Sequence, residues 1–458
     1  MATLCGIASG SGSRQLRDAG KQETDKSYGN GGAKQRTREK SMSEEKRFPE
    51  TLPMWGEKKN SVQDVRRFLD ALGAPDRDLN IIHVAGTNGK GSVCAYLTQA
   101  LMDAGKKTGT FLSPHLVSIR ERIRINNVPV DEALFSETVE RVKEQGERWT
   151  REGGAFPAYF EYLYYMAMLI FKETAVDYVL LETGLGGRLD ATNSCRPILT
   201  VITSISMDHM QYLGNTVEKI AAEKAGIIKD KVPVVYDNND SRAEAVILKA
   251  AEARGAKAIR GTELSKIPEQ YGFLPAPYMR RNAQLAERAF QILLERGDFS
   301  AGTPFAESVR RTHWEGRMQE ILPDVFLDGG HNEDGVRAMT EAAEILCRDR
   351  KKQALLLTSA VNDKDLKQVI RHFSVGLAPK KVFLAKLNSG RAADTAQMEA
   401  LYRSQGIENL ERFETVDLAL KEALREKQEN EILFVAGSLY LVGEVLAAQR
   451  ENREGQDD

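Results

Sequence analysis

The sequence predicts an α/β fold with parallel sheets that is divided over more than one domain. From Ser61 onward, short β-branched and aliphatic runs alternate with helical patterns, which is typical of repeated βα units. The stretches NIIHVAG (80–86) and VDYVLLETG (176–184) are largely apolar, as expected for parallel strands that are buried on both faces. The chain has 458 residues, and a prior of about 150 residues per domain suggests two or three domains.

Other predicted elements continue this alternation. Helices are expected at 92–105, 159–173, 241–254 and 281–295, and strands at 107–116, 198–206 and 232–236. The stretch IPEQYGFLPAP (267–277) contains three prolines and interrupts the pattern, because proline lacks the amide hydrogen that helices and strands use.

A second series of strands and helices predicts a second domain. Its strands are expected at DVFLDGG (324–330), ALLLTSA (354–360), KVFLAKL (381–387) and EILFVAGS (431–438). We therefore predict a first domain over 46–310 and a second, smaller one over 311–458. Residues 1–45 contain few large apolar side chains, so we expect this extension to be disordered and assign it no function.

Composition excludes several classes of protein. A formal net charge of -2 gives no electrostatic reason to expect nucleic acid or an anionic membrane as a partner. We also expect no transmembrane segment, because no apolar run approaches the ~18 residues that a membrane span needs. The four cysteines are far apart and lack metal-binding spacing; this fits a reducing cytoplasm.

The stretch IIHVAGTNGKGSV (81–93) combines a strand, a glycine-rich turn and the start of a helix. Backbone amides and a helix N-terminus bind phosphate in such a setting. Lys90 would neutralise phosphate charge, and the Ser92 hydroxyl suits Mg²⁺. The spacing differs from the common phosphate loop, because Val84 stands where the first glycine is expected and Ser92 comes one residue late. The alternative is an ordinary glycine-rich turn with an incidental lysine.

Two further strand ends carry candidate metal ligands. Glu182 ends a predicted buried strand in LLETGLGGRLDATN (180–193), and ligands gather at this edge of parallel sheets. Its carboxylate could reach a metal placed by Ser92; alternatively it forms an ion pair with Arg188. His209 follows the strand in SISMDHMQYLG (204–214) and is either a ligand or a structural histidine.

Lys224 lies on a predicted helix in AAEKAGIIK (221–229). A lysine in this position is usually solvated or extends its amine to the surface. If it is instead buried against acidic metal ligands, its desolvated amine could react with CO₂, and the carbamate would be an anionic ligand.

The second domain supplies polar residues near its own strand ends. Asp328 and His331 flank a glycine turn in FLDGGHN (326–332), and Arg317 in WEGRMQEI is a donor suited to phosphate. Two such domains suggest a cleft between them. The sequence contains neither a G-x-S-x-G hydrolase motif nor a G-x-G-x-x-G motif that opens a βαβ unit.

Taken together, these motifs resemble those of the folylpolyglutamate synthase/dihydrofolate synthase family, within the ATP-dependent Mur ligase superfamily. The resemblance covers about residues 60–445 and rests on GTNGKGS, SPHL with ERIRINN, ETGLGGRLDATN, DHMQYLG, EKAGIIK, W-x-GR-x-x-E, DGGHN and GSLY in this order. It implies a P-loop-type ATPase domain followed by a smaller Rossmann-like domain. The phosphate loop of this family reads GTNGKGS, so the unusual spacing agrees with the resemblance.

The resemblance also implies roles for individual residues. ATP phosphates would be bound by Gly86, Thr87, Asn88, Gly89, Lys90, Gly91 and Ser92. Magnesium would be held by Ser92, Glu182 and His209, and Lys224 would be carbamylated. Asn282 would meet the adenine, and Arg317, Asp328 and His331 would reach the phosphates and ribose. Catalysis would depend on Lys224, Lys90, His209, Arg317 and His331.

The activity implied is ATP-dependent addition of L-glutamate to folate or dihydropteroate through an acyl phosphate, by a cytoplasmic monomer. Two alternatives remain open: a Mur-type ligase with a cell-wall or amino-acid polymer substrate, and a P-loop ATPase switch. The sequence departs from the family at WEGR (WPGR is commoner), at DGGHN (DGAHN) and before Asn282, where YMRRN replaces Gly-x-His-Gln-x-x-Asn. The last departure predicts a reduced small sheet in the first domain.

Overall fold

The structure is a computed structural model that describes residues 48, 52, 60–261, 269–297, 299–362 and 366–454. The extension 1–45, expected to be disordered, lies outside the described residues.

The first of two sheets is built around a buried central strand. Its strands are β1 (Asn80–Ala85), β2 (Thr108–Phe111), β3 (Ile123–Ile125), β4 (Val128–Pro129), β5 (Tyr178–Glu182), β6 (Leu199–Ile202), β7 (Val234–Tyr236) and β8 (Ala258–Arg260). Their order in the described chain is β4-β3-β2-β5-β1-β6-β7-β8. Strands β2, β5, β1, β6, β7 and β8 are parallel, whereas β3 and β4 pair antiparallel at one edge.

Helices cover both faces of this sheet. They are α1 (Val62–Ala71), α2 (Lys90–Asp103), α3 (Glu132–Arg151), α4 (Tyr159–Glu173), α5 (Met210–Leu213), α6 (Val217–Ala225), α7 (Ser241–Ala253), α8 (Pro277–Glu295) and α9 (Phe305–Arg311). Alternate residues of β1 point to opposite faces, so Ile81 packs in the apolar cluster that contains α4, and Ile82 packs in the cluster that contains α2 and α8. Burial on both faces explains why the parallel strands are almost continuously apolar.

The second sheet is also mainly parallel. Its strands are β9 (Gln319–Leu322), β10 (Val325–Asp328), β11 (Gln353–Thr358), β12 (Lys381–Ala385), β13 (Leu410–Phe413) and β14 (Glu431–Ala436). The order is β13-β12-β11-β14-β10-β9, with β9 antiparallel to β10. The accompanying helices are α10 (Glu333–Arg350), α11 (Leu366–Arg371), α12 (Thr395–Ser404), α13 (Val416–Glu426) and α14 (Leu439–Glu454). Shorter helical turns occupy Ile119–Arg122, Ala191–Ser194, Glu269–Tyr271 and the π-helical His372–Leu377.

The predicted α/β class is confirmed, with corrections to several elements. The antiparallel strands β3, β4 and β9 and the short helix α9 were not expected from the sequence. Helix α2 begins at Lys90 rather than at residue 92. Helix α8 begins at Pro277, four residues before the predicted start at 281, because proline is tolerated in the first helical turn. The domain boundary near residue 310 stays a prediction.

The two sheets direct their carboxyl edges toward one shared cavity. The loops that follow β1, β5 and β6 line it from one side, and those that follow β10 and β14 line it from the other. Within the described residues, no helix has the length and apolar character that crossing a membrane requires.

Candidate active site

The cavity between the sheets has a volume of about 1070 Å³ and is lined by both halves of the chain. Every site residue predicted from the sequence lines it. They are Gly86, Thr87, Asn88, Gly89, Lys90, Gly91, Ser92, Glu182, His209, Lys224, Asn282, Arg317, Asp328 and His331. Residues that are up to 245 positions apart in the sequence, from Gly86 to His331, therefore line the same cavity.

The glycine-rich loop connects β1 to α2 through a backbone shape that needs glycine at two positions. Gly89, the N-cap of α2, has φ 90°, in the left-handed region that side chains disfavour. A Cβ on Gly86, whose φ is 152°, would lie 1.8 Å from the hydroxyl oxygen of Thr203. The loop therefore places the N-terminus of α2 at the cavity, and oriented amides at such a terminus attract anions.

Residues that follow β6 support the loop through hydrogen bonds, although the sequence did not predict a role for them. The hydroxyl of Thr203 donates to the carbonyl of Asn88 at 2.7 Å, and the hydroxyl of Ser204 donates to the same oxygen at 3.2 Å. The amide of Thr87 donates to the carbonyl of Ser204 at 2.8 Å. The sequence signal for this support was the pair of hydroxyl residues directly after β6. Because β6 lies parallel to β1, these residues lie beside the loop that follows β1.

Glu182 is a buried carboxylate at the end of β5, with 4% of its surface exposed. Its Oε2 accepts the amide of Ser113 at 3.1 Å, and its Oε1 lies 3.8 Å from the Nζ of Lys90. Burial raises the pKa of Glu182, and the nearby Lys90 opposes that shift. The alternative pairing of Glu182 with Arg188 is wrong, because Arg188 contacts Glu223 at 2.7 Å.

Lys224 is buried on α6, with 4% of its surface exposed. Its Nζ donates to the carbonyl of Gly86 at 2.7 Å. Desolvation, assisted by the positive charge of Lys90, lowers the pKa of Lys224 to about 7. The expectation of a solvated lysine is therefore wrong, and a substantial fraction of the amine is neutral near pH 7.

The predicted metal ligands supply a hydroxyl, a carboxylate and an imidazole. Ser92 is buried in the first turn of α2, while His209 is more exposed and has its Nε2 3.8 Å from the Oδ2 of Asp208. In the described part of the chain, no group of three or more His, Cys, Asp or Glu side chains could hold a metal without other donors. The donor types nevertheless fit a divalent cation, whose positive charge would favour the ionised form of the buried Glu182.

The second domain contributes a fixed carboxylate, a guanidinium and an imidazole. Asp328 is buried and accepts the hydroxyl of Tyr278 at 2.6 Å, the amide of Met318 at 3.0 Å and the amide of Gly330 at 2.8 Å. The Nη1 of Arg317 donates to the carbonyl of Gly316 at 2.8 Å. The Nδ1 of His331 lies 2.9 Å from the carbonyl of Gly329, which leaves Nε2 on the opposite side of the ring.

Helix α8 brings Asn282 against the glycine-rich loop. A Cβ added to Gly89 would lie 2.4 Å from the Oδ1 of Asn282, so the two residues are in close contact. The neighbouring Arg281 donates to the buried Asp237 at 2.7 Å. Although the sequence before Asn282 departs from the family pattern, Asn282 still faces the cavity from a well-formed helix.

A separate part of the cavity wall combines aromatic and basic groups that were not assigned from the sequence. The guanidinium of Arg122 lies 5.4 Å from the ring centre of Tyr159, and its Nε donates to the Nδ1 of His115 at 2.9 Å. Burial lowers the pKa of Arg122. Burial and the charge of Arg122 lower the pKa of His115 to about 4, so this histidine is neutral near pH 7.

Comparison with known proteins decides the family. Residues 84–267 match the Mur ligase middle domain, and residues 314–439 match the Mur ligase glutamate ligase domain. A dihydrofolate synthase/folylpolyglutamate synthase of Bacillus subtilis is 33% identical over 406 residues, which cover 83% of this chain and 93% of that protein. The chain belongs to the folylpolyglutamate synthase/dihydrofolate synthase family. The resemblance drawn from its motifs is thus confirmed.

Solved structures of this family share the fold. Escherichia coli FolC in complex with DHPP and ADP superposes with a TM-score of 0.75 at 26% identity, over 91% of this chain and 98% of that one. The bifunctional folylpolyglutamate synthase/dihydrofolate synthase of Yersinia pestis, complexed with AMPPNP and a Mn ion, gives a TM-score of 0.73 at 25% identity. This alignment covers 86% of this chain and 94% of the Yersinia protein.

Proposed function

We propose that this protein is an ATP-dependent ligase that joins L-glutamate to the carboxylate of folate or dihydropteroate. The observation that carries the proposal is the shared cavity, where the loop 86–92 of one sheet faces Arg317, Asp328 and His331 of the other. The names of the relatives support folate substrates, and the ADP and AMPPNP complexes of structural neighbours support ATP.

The chemistry requires that the acceptor carboxylate be activated. A carboxylate is a poor electrophile, because its carbonyl is electron-rich and oxide is a poor leaving group. In the proposed reaction a carboxylate oxygen attacks the γ-phosphorus of ATP, the bond to ADP breaks, and an acyl phosphate forms. The glutamate amine, in its neutral form, then attacks the acyl carbon, and the tetrahedral intermediate loses a proton from nitrogen and expels phosphate to leave the amide.

Lys90 and Arg317 are proposed to stabilise the phosphoryl group during its transfer. Positive charge held in place before reaction lowers the energy of such transition states. Lys90 begins α2 and its Nζ lies 3.1 Å from the carbonyl of Thr87, so the amine is held beside the loop amides. Arg317 approaches from the second domain, which supports a reaction that proceeds when both domains surround the nucleotide.

A divalent cation is proposed to be held by Ser92, Glu182 and His209. It would neutralise nucleotide phosphate charge, which is the usual contribution of Mg²⁺ to phosphoryl transfer. The remaining coordination positions suit phosphate oxygens and water.

Lys224 is proposed to carry a carbamate. The neutral amine attacks CO₂, one proton is released, and a carboxylate-bearing side chain results. Its support is the burial of Lys224 beside the loop and its lowered pKa of about 7, since only the neutral amine has the lone pair that this reaction needs.

Asn282, Asp328 and His331 are proposed to meet the nucleoside and phosphates of ATP. Both halves of the site come from one chain, which supports a monomer as the active form. The formal net charge of -2 supports a small-molecule enzyme rather than one with a nucleic-acid or membrane partner. The four widely spaced cysteines support a location in the cytoplasm.

A substrate panel tests the proposal. We expect ADP release to require an acceptor, and amide to form only when L-glutamate accompanies dihydropteroate or a folate. Amide formation with cell-wall or amino-acid polymer precursors alone would instead indicate another Mur-type ligase. ADP release that is indifferent to every acceptor would indicate an ATPase switch.

A further inference from the structure

Two asparagine side chains join the glycine-rich loop of the first domain to the start of α10 in the second. The Nδ2 of Asn88 donates to the Oδ1 of Asn332 at 3.2 Å, and the Nδ2 of Asn332 donates to the Oδ1 of Asn88 at 3.1 Å. The Nδ2 of Asn88 also lies 3.2 Å from the Oδ2 of Asp334. The amides thus form a reciprocal pair across the cleft between the domains.

Other contacts fix which way the Asn332 amide points. Its Oδ1 accepts the amide of Gly335 at 2.8 Å, and its Nδ2 donates to the Oδ2 of Asp208 at 2.8 Å. A backbone N–H can only donate and a carboxylate accepts, so rotating the amide by 180° would break both bonds. Asn332 is 6% exposed, and each of its side-chain polar atoms makes two hydrogen bonds.

On the loop side, Asn88 belongs to the backbone segment whose geometry matters most for phosphate. Its carbonyl is held by the hydroxyls of Thr203 and Ser204, and Gly89 follows it as the N-cap of α2. The hydrogen bonds of the Asn88 side chain therefore act on the residue that leads directly into this helix.

We propose that Asn332 is a positioning residue: through Asn88 it fixes the glycine-rich loop in its reactive shape when the two domains are closed. This inference rests on the proposed function, because it assigns Asn332 to the phosphoryl-transfer step of that reaction. The described hydrogen bonds of the Asn332 side chain go to Asn88, Asp208 and the amide of Gly335, so it acts through other protein groups. When the domains separate, both hydrogen bonds to Asn88 are lost, so the loop is fully ordered only in the state that shields the acyl phosphate from water.

Asn332 also has a local role, which the test must separate from positioning. As the N-cap of α10 it satisfies the amide of Gly335, and serine performs this capping function about as well as asparagine. A serine side chain is shorter and cannot reach Asn88. Asn332→Ser therefore keeps the cap and removes the hydrogen bonds to Asn88 and Asp208, whereas Asn332→Ala removes the cap as well. The contact between Asn88 and Asp334 stays in both variants.

The experiment compares Asn332→Ser, Asn332→Ala, Asn88→Ala and the double variant Asn88→Ala/Asn332→Ser. Asn409→Ala is the matched control, because Asn409 is exposed in the second domain and donates only one described hydrogen bond, to the carbonyl of Lys380 at 2.9 Å. Measured quantities are kcat, KM for ATP, the ratio of ADP to amide formed, the unfolding temperature and the radius of gyration in solution.

We expect Asn332→Ser to unfold at the wild-type temperature but to lose roughly tenfold or more in kcat, since small misplacements of reacting groups are costly. Its ratio of ADP to amide should rise above that of the wild type, because water reaches the acyl phosphate. The double variant should be no slower than the slower single variant, because both changes break the same pair. Asn409→Ala should match the wild type.

Wild-type kinetics in Asn332→Ser, or additive losses in the double variant, would overturn the positioning role. The radius of gyration is measured without any reaction, so it distinguishes failure of the positioning role from failure of the proposed function. If the wild type forms no amide with any acceptor, the proposed function fails. An unchanged radius of gyration in Asn332→Ser would then refute the link between the domains, and an increased radius would support it.

Discussion

At the scale of single residues, burial determines what Lys224 can do. Its contact with the carbonyl of Gly86 spans 138 positions of sequence, so no local pattern around AAEKAGIIK could reveal that the amine is desolvated. From the sequence, a carbamate on Lys224 was expected only if the lysine was buried against acidic metal ligands. The structure shows that Lys224 is buried, with 4% of its surface exposed. The role itself remains a proposal.

Lys224→Ala should abolish amide formation, and a small added carboxylate such as acetate should partly restore it by occupying the place of the carbamate. In the wild type, activity after equilibration with CO₂ should fall as the pH drops through about 7, because protonation removes the lone pair of an amine whose pKa is about 7. Amide formation measured against pH and carboxylate concentration tests both. Full activity in the alanine variant would rule the carbamate out.

Glu182→Gln tests the candidate metal site. Glutamine has nearly the same size and can still accept the amide of Ser113, but it carries no negative charge. We expect the Mg²⁺ concentration needed for half-maximal ADP formation to rise by at least about tenfold, because even indirect partners of metal ligands contribute 10–100-fold. Glu399→Gln, in the second domain beside Arg403 and Arg412, is the control. An unchanged Mg²⁺ dependence would remove Glu182 from the metal site.

At the scale of elements, the sequence predicted those strands and helices whose burial leaves a clear pattern. Strands β1, β5 and β14 are buried along almost their whole length, so their apolar runs were evident. The edge strands β3 and β4 have three and two residues, too few for any periodicity. Helix α8 was predicted to begin late because its first residue is a proline, although proline is favoured there.

Within the site, too, the features with a local sequence pattern were predicted and those that depend on the fold were not. The glycine-rich loop is contiguous in sequence and was identified directly, whereas the hydroxyls of Thr203 and Ser204 act on it from a neighbouring strand. Their contribution depends on the strand order β1-β6, which a single sequence does not specify.

The side chain of Arg450 connects helix α14 to the segment that follows β2. The Nη1 of Arg450 lies 3.4 Å from the Oε1 of the buried Glu121, and its Nη2 lies 3.0 Å from both carboxylate oxygens of Glu315. Glu121 in turn accepts the amide of Leu116 at 2.8 Å. The same loop contains Ser113, whose amide donates to Glu182, so the end of the chain supports the candidate metal ligand indirectly.

Arg450→Ala should therefore lower the unfolding temperature by roughly 2 °C, since a pair that is partly exposed contributes at most about 1 kcal/mol. It should also reduce kcat modestly, because the loop before Glu121 is less well held. Arg425→Ala, whose partner Glu422 lies on the same exposed helix face, should change neither quantity. Thermal unfolding and steady-state kinetics of both variants provide the measurement, and equal behaviour of the two would contradict this support.

At the scale of the whole molecule, each sheet has its own core. Apolar clusters that include Ile81, Ile82 and Ile202 surround the first sheet, and clusters that include Phe326 and Leu327 surround the second. Between them lies the cavity of about 1070 Å³, across which contacts such as Asn88 to Asn332 are polar. Beside it, Leu116, Val117 and Ala276 of the first half join the apolar clusters of the second sheet. Hydrophobic burial dominates cooperativity within a core, and each cluster draws most of its residues from one half, so the two halves should be coupled more weakly than the residues within each half.

Calorimetry should consequently resolve two unfolding transitions in the ligand-free protein. A non-hydrolysable ATP analogue with Mg²⁺ should contact loop 86–92 and the Arg317, Asp328 and His331 group together, so it should raise the lower transition and bring it toward the higher one. At a free concentration of about 100 times Kd, the expected stabilisation is ~2.7 kcal/mol. Adenosine, which lacks the phosphates that bridge toward the loop, should raise the transitions far less. A single ligand-free transition that the analogue leaves in place would show that the halves already unfold as one unit and that the nucleotide does not link them.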